Sequence, residues 1–370
     1  MKELVSRHGS HPLVNSYRLS ISPQTEDEYR LFYERLNTGL RRKGEICLDV
    51  LQRERWDLAL IVFPEVHWAM HLLWQTRDRE HPDHDPGMPL PFDDVFLDLY
   101  RKLDAWISRF RASMPGAQVL VFSGSGLGPN YSGWHLLPEV LDKIGLGPPP
   151  DGDPGGIANA LLPMRRWGSS KIRKTEDVLS VGTIEFLKKV VPAPVWDRLT
   201  RRLLHAGHRW AQSKAFALPN DYSGAIRINL AGREPRGVVA PDQYDAVCSE
   251  IEHELKGLIN PDTGRPVVRD VIRLRTLYPH DELGDFPDLI VTWANDAPVN
   301  AVTSPAVGAI SRAFPERRSG AHRNDCFVLS SRGLNAPAEG RASLLDIAPT
   351  VFELLGTPPA GHFDGRSLLA

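Results

Sequence analysis

Two short, uninterrupted apolar runs constrain the fold of this chain more than any other feature. Residues 58–63 read LALIVF and residues 119–122 read VLVF, and helix-like stretches lie between them at 65–74 and 91–114. Continuous apolar runs of this length are typical of strands buried on both faces of a parallel sheet. Strand, helical crossover and strand form a βαβ unit. The pattern therefore predicts an α/β fold with a mostly parallel central sheet and helices on both faces.

The whole chain, residues 1–370, is predicted to form a single domain, because α/β chains of this size often fold as one unit. The Pro/Gly-rich stretch GPPPDGDPGG at 147–156 predicts a surface loop or hinge. It opens a less regular region, and we expect an inserted cap or lid around 150–235. Near the N-terminus, the charged periodic segment 26–55 predicts an amphipathic helix broken near Gly39 and Gly44.

Composition narrows the partners and the compartment. Hydrophobic residues make up 42% of the chain and charged residues 24%, and the net charge is −2, so no basic excess draws the protein to nucleic acid. No apolar run is long enough to span a bilayer, and the N-terminus lacks the apolar core of a signal peptide. The three cysteines form no paired motif. These features predict a soluble cytoplasmic protein with no membrane or nucleic-acid partner.

A pair of histidines follows the first apolar run. Residues 65–71 read EVHWAMH, which places His67 and His71 four residues apart. Side chains at this spacing share one face of a helix, so both imidazoles come within reach of one metal ion. A position at the carboxyl end of a predicted parallel strand favours a ligand site. The alternative is a pair of buried, hydrogen-bonded histidines packed among the neighbouring tryptophans and leucines.

Three further stretches are candidates. His322, in SGAHR at 319–323, is either a surface loop histidine or the third ligand of a three-histidine site with an open fourth position. The run SGSGLG at 123–128 either lets backbone amides approach a phosphate or forms a tight turn. It matches no GxGxxG, P-loop or GxSxG motif. The stretch HPDHD at 81–85 contains several ligand-type side chains, but a hydrogen-bonded surface turn is favoured there.

Six stretches in order along the chain carry a family resemblance. They are LALIVFPEVHWAMHLLW (58–74), VLVFSGSGLGPN (119–130), INLAGREPRG (228–237), PDLIVTW (287–293), SGAHRNDCFVLSSRG (319–333) and SLLDIAPTVFELLGTPPAGHFDGRSL (343–368). Together they resemble the type I phosphodiesterase/nucleotide pyrophosphatase branch of the alkaline-phosphatase superfamily. The resemblance covers about half of the chain well and implies an alkaline-phosphatase-like fold.

The resemblance also implies a set of site residues. Members of this family use two divalent metals, usually zinc, to activate a threonine or serine nucleophile and to stabilise the displaced oxygens. The ligands of one metal fall on His67, His71 and His322. The other metal takes an aspartate and a histidine from an SDHG motif, and here Gly124 and Ser125 stand in those two positions. The segment that carries the family's nucleophile has no counterpart in this chain.

These departures predict a degenerate member of the family. We expect weak or absent metal-dependent phosphoester hydrolysis, at most one bound divalent metal, with zinc favoured, and a phosphoester or other anionic small molecule as partner. Two alternatives stay open: an active single-metal hydrolase, and a non-catalytic anion- or nucleotide-binding protein that uses Arg227 and Arg233. A third explanation is that Met1 is not the true start and that the nucleophile lies upstream.

Overall fold

The structure is a computed structural model that describes residues 2–13, 23–147, 212–218, 220, 222–279, 284–312, 314, 318–335, 341–357 and 361–369. By its internal contacts the chain divides into two compact units, one formed by Met1–Asn130 with Glu316–Ala370 and the other by Tyr131–Pro315. The predicted cap at 150–235 falls largely outside the described residues, so the single domain with a cap stays a prediction. Among the described residues, no helix combines the length and hydropathy needed to cross a bilayer.

The described α-helices are numbered here in chain order. They are α1 (Lys2–His8), α2 (Glu26–Arg53), α3 (Glu65–Leu73), α4 (Val95–Ser113), α5 (Leu137–Lys143), α6 (Tyr244–Lys256), α7 (Leu274–Leu277) and α8 (Ile347–Leu354). The described strands are β1 (Leu120–Phe122), β2 (Gly126–Pro129), β3 (Ala215–Leu218), β4 (Gly224–Ile228), β5 (Ile259–Asn260), β6 (Arg265–Pro266), β7 (Val268–Arg273), β8 (Leu289–Trp293), β9 (Ala301–Ser304), β10 (Gly308–Ser311), β11 (Gly320–Arg323) and β12 (Val328–Ser330).

The core of the first unit lies between α2, α3 and α4. α4 begins where the Asp94 carboxylate accepts hydrogen bonds from the amides of Phe96 and Leu97, which satisfies donors that a helix start leaves unpaired. Phe96 and Leu99 are fully buried, and each contributes roughly 1.5–3 kcal/mol of hydrophobic stabilisation. This helical layer gives α3, the helix with the paired histidines, a fixed support.

Helix α2 runs without interruption through both of its interior glycines, so the predicted break near Gly39 and Gly44 is wrong. Both positions are sites of close packing. A β-carbon at residue 39 would lie 2.1 Å from Nε2 of His11, and one at residue 44 would lie 2.2 Å from Cε2 of Trp106. The two glycines therefore admit rings against the helix surface and do not end the helix.

The two apolar runs that predicted buried parallel strands behave differently. Residues 58–63 form no strand with any described residue, and Leu60 is 77% exposed. The second run forms β1, which is half-buried and pairs antiparallel with β12. The next strand, β2, pairs antiparallel with β11. Each of these sheets has two strands, and the partner in each comes from the C-terminal part of the chain.

The predicted parallel central sheet, and with it the alkaline-phosphatase-like architecture, is wrong for the described residues. Their named strands form four sheets of two or four strands, and every pairing between them is antiparallel. The physical reason is that the composition of an apolar run fixes neither the partner nor the direction of a strand. Direction is set by partners such as β11 and β12, which run opposite to β2 and β1.

The second unit contains the larger sheets. One has the order β3-β4-β8-β7 and the other β10-β9-β5-β6. β4 is buried at every position because it lies inside its sheet, and β8 alternates between buried and half-buried residues. α6 packs on β7 and β4 through Ile251 and Leu255, both fully buried. β8 lies within PDLIVTW (287–293), one of the six stretches that carry the resemblance.

Candidate metal centre

Helix α3 places His67 and His71 on one face, one turn apart. The helix begins at Glu65, directly after Pro64, as the sequence predicted. Proline cannot donate a main-chain hydrogen bond, which costs nothing at a helix start, where the first amides have no partner within the helix. The ring centroids of His67 and His71 are 4.5 Å apart. The four-residue spacing therefore brings the two imidazoles together, as the sequence predicted.

Strand β11 brings His322 to the same place. Within the strand pair, the α-carbon of His322 lies opposite that of Leu127 in β2. The ring centroid of His322 is 5.1 Å from that of His67 and 4.8 Å from that of His71. The three rings thus meet although His322 follows His71 by 251 residues. We call His67, His71 and His322 the three-histidine cluster.

A buried polar network fixes the approach to β11. The Ser319 hydroxyl donates to the side-chain oxygen of Gln75, and the main-chain N–H of Gln75 donates back to the same hydroxyl at 3.3 Å. The side-chain amide of Gln75 also donates to the Tyr29 hydroxyl at 3.0 Å. Gln75 and Ser319 are both buried, so these bonds are made away from water. The network ties the start of β11 to the turn that follows α3.

One pair of nitrogens in the three-histidine cluster has the spacing of two ligands of one metal ion. One ring nitrogen from each histidine lies within 4.8 Å of the other two. Nε2 of His71 and Nε2 of His322 lie 3.3 Å apart. Two imidazole nitrogens bound to one tetrahedral zinc at about 2.0–2.1 Å would lie about 3.3–3.4 Å apart. The observed separation therefore suits two ligands of a single ion.

The opposite nitrogens of two of these rings are held by the protein. Nδ1 of His71 donates to the carbonyl oxygen of Gly320 at 2.7 Å, and a carbonyl can only accept. Nδ1 of His322 lies 2.8 Å from the hydroxyl oxygen of Ser125. Hydrogen bonds at the far nitrogen orient a metal-binding imidazole and fix its tautomer. Both Nε2 atoms are thereby directed to the point where the three rings meet.

Burial favours the neutral, ligating form of the histidines. Desolvation by burial lowers the pKa of His71 to about 4, and it lowers the pKa of His67 as well. The charges of neighbouring groups, among them Arg318, act in the same direction on both rings. His67 and His71 are consequently uncharged at neutral pH, with lone pairs available to a cation.

The positions assigned to a second metal contain no strong ligand. Gly124 has no side chain, and no described atom lies within 4 Å of where its β-carbon would be. The hydroxyl of Ser125 is engaged with Nδ1 of His322. This loop is fixed by the Ser123 amide, which donates to the Phe327 carbonyl at 3.1 Å, and by the Ser123 hydroxyl, which donates to the Ser125 carbonyl. Ser125 thus contacts His322, one of the three clustered histidines.

Arg227 and Arg233, the predicted anion-binding pair, lie in the second unit and are both bound to carboxylates. Arg227 is buried and donates to Glu234 at 2.6 Å. Arg233 donates through two nitrogens to Asp288, at 2.7 Å each. An added anion would have to displace these carboxylates. Anion binding by the two arginines therefore stays a prediction, and the geometry assigns them a structural role.

The loop at 81–85 forms the hydrogen-bonded turn that the sequence favoured. The Asp83 amide donates to Nδ1 of His81 at 3.1 Å, and Nδ1 of His84 donates to the Gln75 carbonyl at 2.7 Å. The Asp85 carboxylate accepts from the Gly87 amide.

Sequence reasoning missed the groups that support the three-histidine cluster. Gln75 and Gly320 contribute a side-chain amide and a main-chain carbonyl, and neither belongs to a recognisable motif. In the family resemblance, Ser125 stands where a metal-binding histidine would be. Its hydrogen bond to His322 depends on the pairing of β2 with β11 and could not be predicted. Comparisons with protein-family models, with curated proteins and with solved structures found no match to this chain.

Proposed function

We propose that this protein binds one divalent transition-metal ion through His67, His71 and His322, and that it hydrolyses phosphoesters weakly or not at all. The observation that carries the proposal is the convergence of three imidazole nitrogens within 4.8 Å of one another. Zinc is the best match, because an all-imidazole donor set suits borderline-soft ions and is a poor site for calcium or magnesium.

Three protein ligands leave the fourth position of a tetrahedral ion open, which is the arrangement of catalytic and not of structural zinc sites. When bound, zinc at such a site would act as a Lewis acid toward an oxygen of a ligand. The positive charge of Arg318 close to the rings supports an anionic ligand. A phosphoester is proposed as that ligand because of the sequence resemblance.

Weak turnover is proposed because two parts of the family's machinery are replaced. Gly124 and Ser125 offer no carboxylate and no imidazole for a second ion. The hydroxyl of Ser125 is also bound to His322, where it supports the single centre. Loss of one member of a catalytic unit commonly lowers kcat by several orders of magnitude.

Calorimetric titration with zinc, combined with metal analysis after gel filtration, tests the proposal. We expect one ion per chain in the wild type. Replacing His67 or His322 by glutamine should weaken binding by about 100-fold or more, since each removes one of three ligands. His84→Gln is the matched control, because His84 also donates through Nδ1 to a main-chain carbonyl but lies outside the cluster.

Two results would contradict the proposal. The first is equal zinc affinity in the wild type and His322→Gln, which would place the ion elsewhere. The second is two ions per chain that are both lost on chelation. For the hydrolytic part, bis-p-nitrophenyl phosphate with added zinc should be turned over slowly or not at all. A kcat above about 1 s⁻¹, in the range typical of enzymes, would show that the missing groups are supplied in another way.

A further inference from the structure

A continuous row of hydrogen-bonding groups leads from Ser125 into the three-histidine cluster. The Ser125 hydroxyl oxygen is 2.8 Å from Nδ1 of His322, and Nε2 of His322 is 3.3 Å from Nε2 of His71. Nδ1 of His71 is 2.7 Å from the carbonyl oxygen of Gly320. All four groups belong to the first unit. The proposed metal site uses the two Nε2 atoms as ligands and gives the serine oxygen only a supporting role at Nδ1 of His322.

When no metal is bound, the Gly320 carbonyl determines which atom donates and which accepts in each hydrogen bond of this row. A carbonyl only accepts, so Nδ1 of His71 carries the ring proton and its Nε2 has a lone pair. The contact between the two rings must then be donated by Nε2–H of His322. A neutral imidazole has one N–H, which leaves a lone pair on Nδ1 of His322. The Ser125 hydroxyl is consequently the donor to that nitrogen.

This orientation is the one that activates a serine. A serine hydroxyl is a weak nucleophile until an adjacent base accepts its proton, and the base is in turn oriented by a third group. Here His322 is placed as the base and His71 as the group that orients it. Ser125 is half-buried, and the space beside Gly124 is open to a small reactant. Neither the amide N–H of Gly124 nor that of Ser125 is used in a hydrogen bond within the described part of the chain.

We propose that Ser125 is a nucleophilic serine in the metal-free protein, with His322 as its base, and that it reacts with carboxylic esters and related acyl or phosphonyl electrophiles. With a fluorophosphonate, the serine oxygen forms a bond to phosphorus and the P–F bond breaks. Fluoride leaves with the bonding electron pair, and the hydroxyl proton passes to Nδ1 of His322. With an ester, the same proton passes on to the departing alkoxide, and water later cleaves the acyl-serine.

Metal binding would reverse the donor and acceptor in the Ser125–His322 hydrogen bond. This inference about metal binding rests on the proposed function. An ion that takes the lone pair on Nε2 of His322 forces the ring proton onto Nδ1. Nδ1 then donates to Ser125, and no base remains to accept the hydroxyl proton. One site would thus alternate between a metal-bound form and a form with a reactive serine.

Labelling with a fluorophosphonate probe, followed by mass spectrometry of the labelled peptide, tests the proposal on the full chain. In protein treated with a chelator, we expect label on Ser125 and none there in Ser125→Ala. In His322→Gln, Ser125 should be labelled at least about 100-fold more slowly than in the wild type, because general-base assistance commonly contributes 10²–10⁴-fold. His84→Gln, whose imidazole lies outside the row, should label like the wild type.

If circular dichroism shows that a variant is unfolded, the labelling of the wild type alone decides the outcome. No label on Ser125 of the chelated protein would overturn the proposal, and so would equal labelling with and without zinc at concentrations that calorimetry shows to be saturating. If calorimetry shows no zinc binding while Ser125 still labels, the metal site fails and the reactive serine stands. If zinc binds and Ser125 never labels, the metal site stands and the serine fails.

Discussion

Gly320 packs directly against the main chain of Met70: a β-carbon at residue 320 would lie 2.0 Å from the Met70 carbonyl oxygen. This close approach of β11 to α3 brings the Gly320 carbonyl within 2.7 Å of Nδ1 of His71. The glycine is therefore required for the geometry of the three-histidine cluster, although it offers no side chain to it.

Gly320→Ala should push β11 away from α3. We expect a loss of about 1–3 kcal/mol in the free energy of unfolding, the usual range for forced overpacking, and roughly 10–100-fold weaker zinc binding as the His71 support lengthens. Urea denaturation and calorimetry measure the two effects. Gly333→Ala is the control, since no described atom lies within 4 Å of a β-carbon there. Equal zinc affinity in both variants would contradict the role given to the close approach.

His11 partners a buried carboxylate. Nε2 of His11 lies 2.9 Å from Oε1 of Glu65, which is fully buried at the start of α3, and the other oxygen of Glu65 has no partner among the described residues. His11→Ala should lower the free energy of unfolding by about 3–5 kcal/mol, because it leaves a carboxylate buried and unpaired. Arg30→Ala removes an exposed ion pair with Glu26 and should cost about 0.5 kcal/mol or less. A similar loss in the free energy of unfolding for both variants, measured by urea denaturation, would show that Glu65 finds another partner.

Asp288 is the centre of a buried network in the second unit. It accepts two hydrogen bonds from Arg233, one from the Tyr244 hydroxyl at 2.8 Å and one from the Ile228 amide at 2.7 Å. Arg233→Met should therefore lower the free energy of unfolding by roughly 3–5 kcal/mol. Arg265→Met, which removes an exposed pair with Asp296, should cost little. A stable Arg233→Met that loses phosphate affinity would instead favour the anion-binding role.

His135 makes stability depend on pH. Burial lowers its pKa to about 4, from about 6.5 in an unfolded chain. Between these values the unfolded state binds more protons than the folded state, so the free energy of unfolding falls as pH is lowered through this window and is insensitive to His135 above it. The full contribution is on the order of 3 kcal/mol. In urea titrations at a series of pH values, His135→Gln should flatten the slope between pH 6.5 and 4, and an unchanged slope would contradict this contribution.

The local elements of this fold could be predicted, but the sheet could not. Helix starts such as Glu65 and Val95 follow from the proline and the aspartate that precede them. The run 58–63 has the composition of a buried strand, yet Leu60 is exposed and the segment pairs with no described strand. Pairing depends on which distant segment arrives and in which direction. That information is not contained in the composition of one strand.

The same distinction applies to the site. The pair His67 and His71 follows from helix geometry, because a four-residue spacing fixes their proximity. The sequence alone left His322 as either a surface loop histidine or a third ligand, because its placement depends on the register of β2 with β11. Its neighbours Gly320 and Ser125 act through a carbonyl and a hydroxyl, groups too common to be recognised in a sequence.

The pairing of β2 with β11 determines when a metal could enter. Residues 126–129 meet residues 320–323, so the cluster closes one of the longest loops in the molecule. Contacts of such long range form late and slow folding. Before β11 has been synthesised, a nascent chain presents only the two imidazoles of α3, which bind a cation weakly. The proposed ion would therefore bind only after β2 has paired with β11, and a chelator should remove it without unfolding the helices that support the cluster.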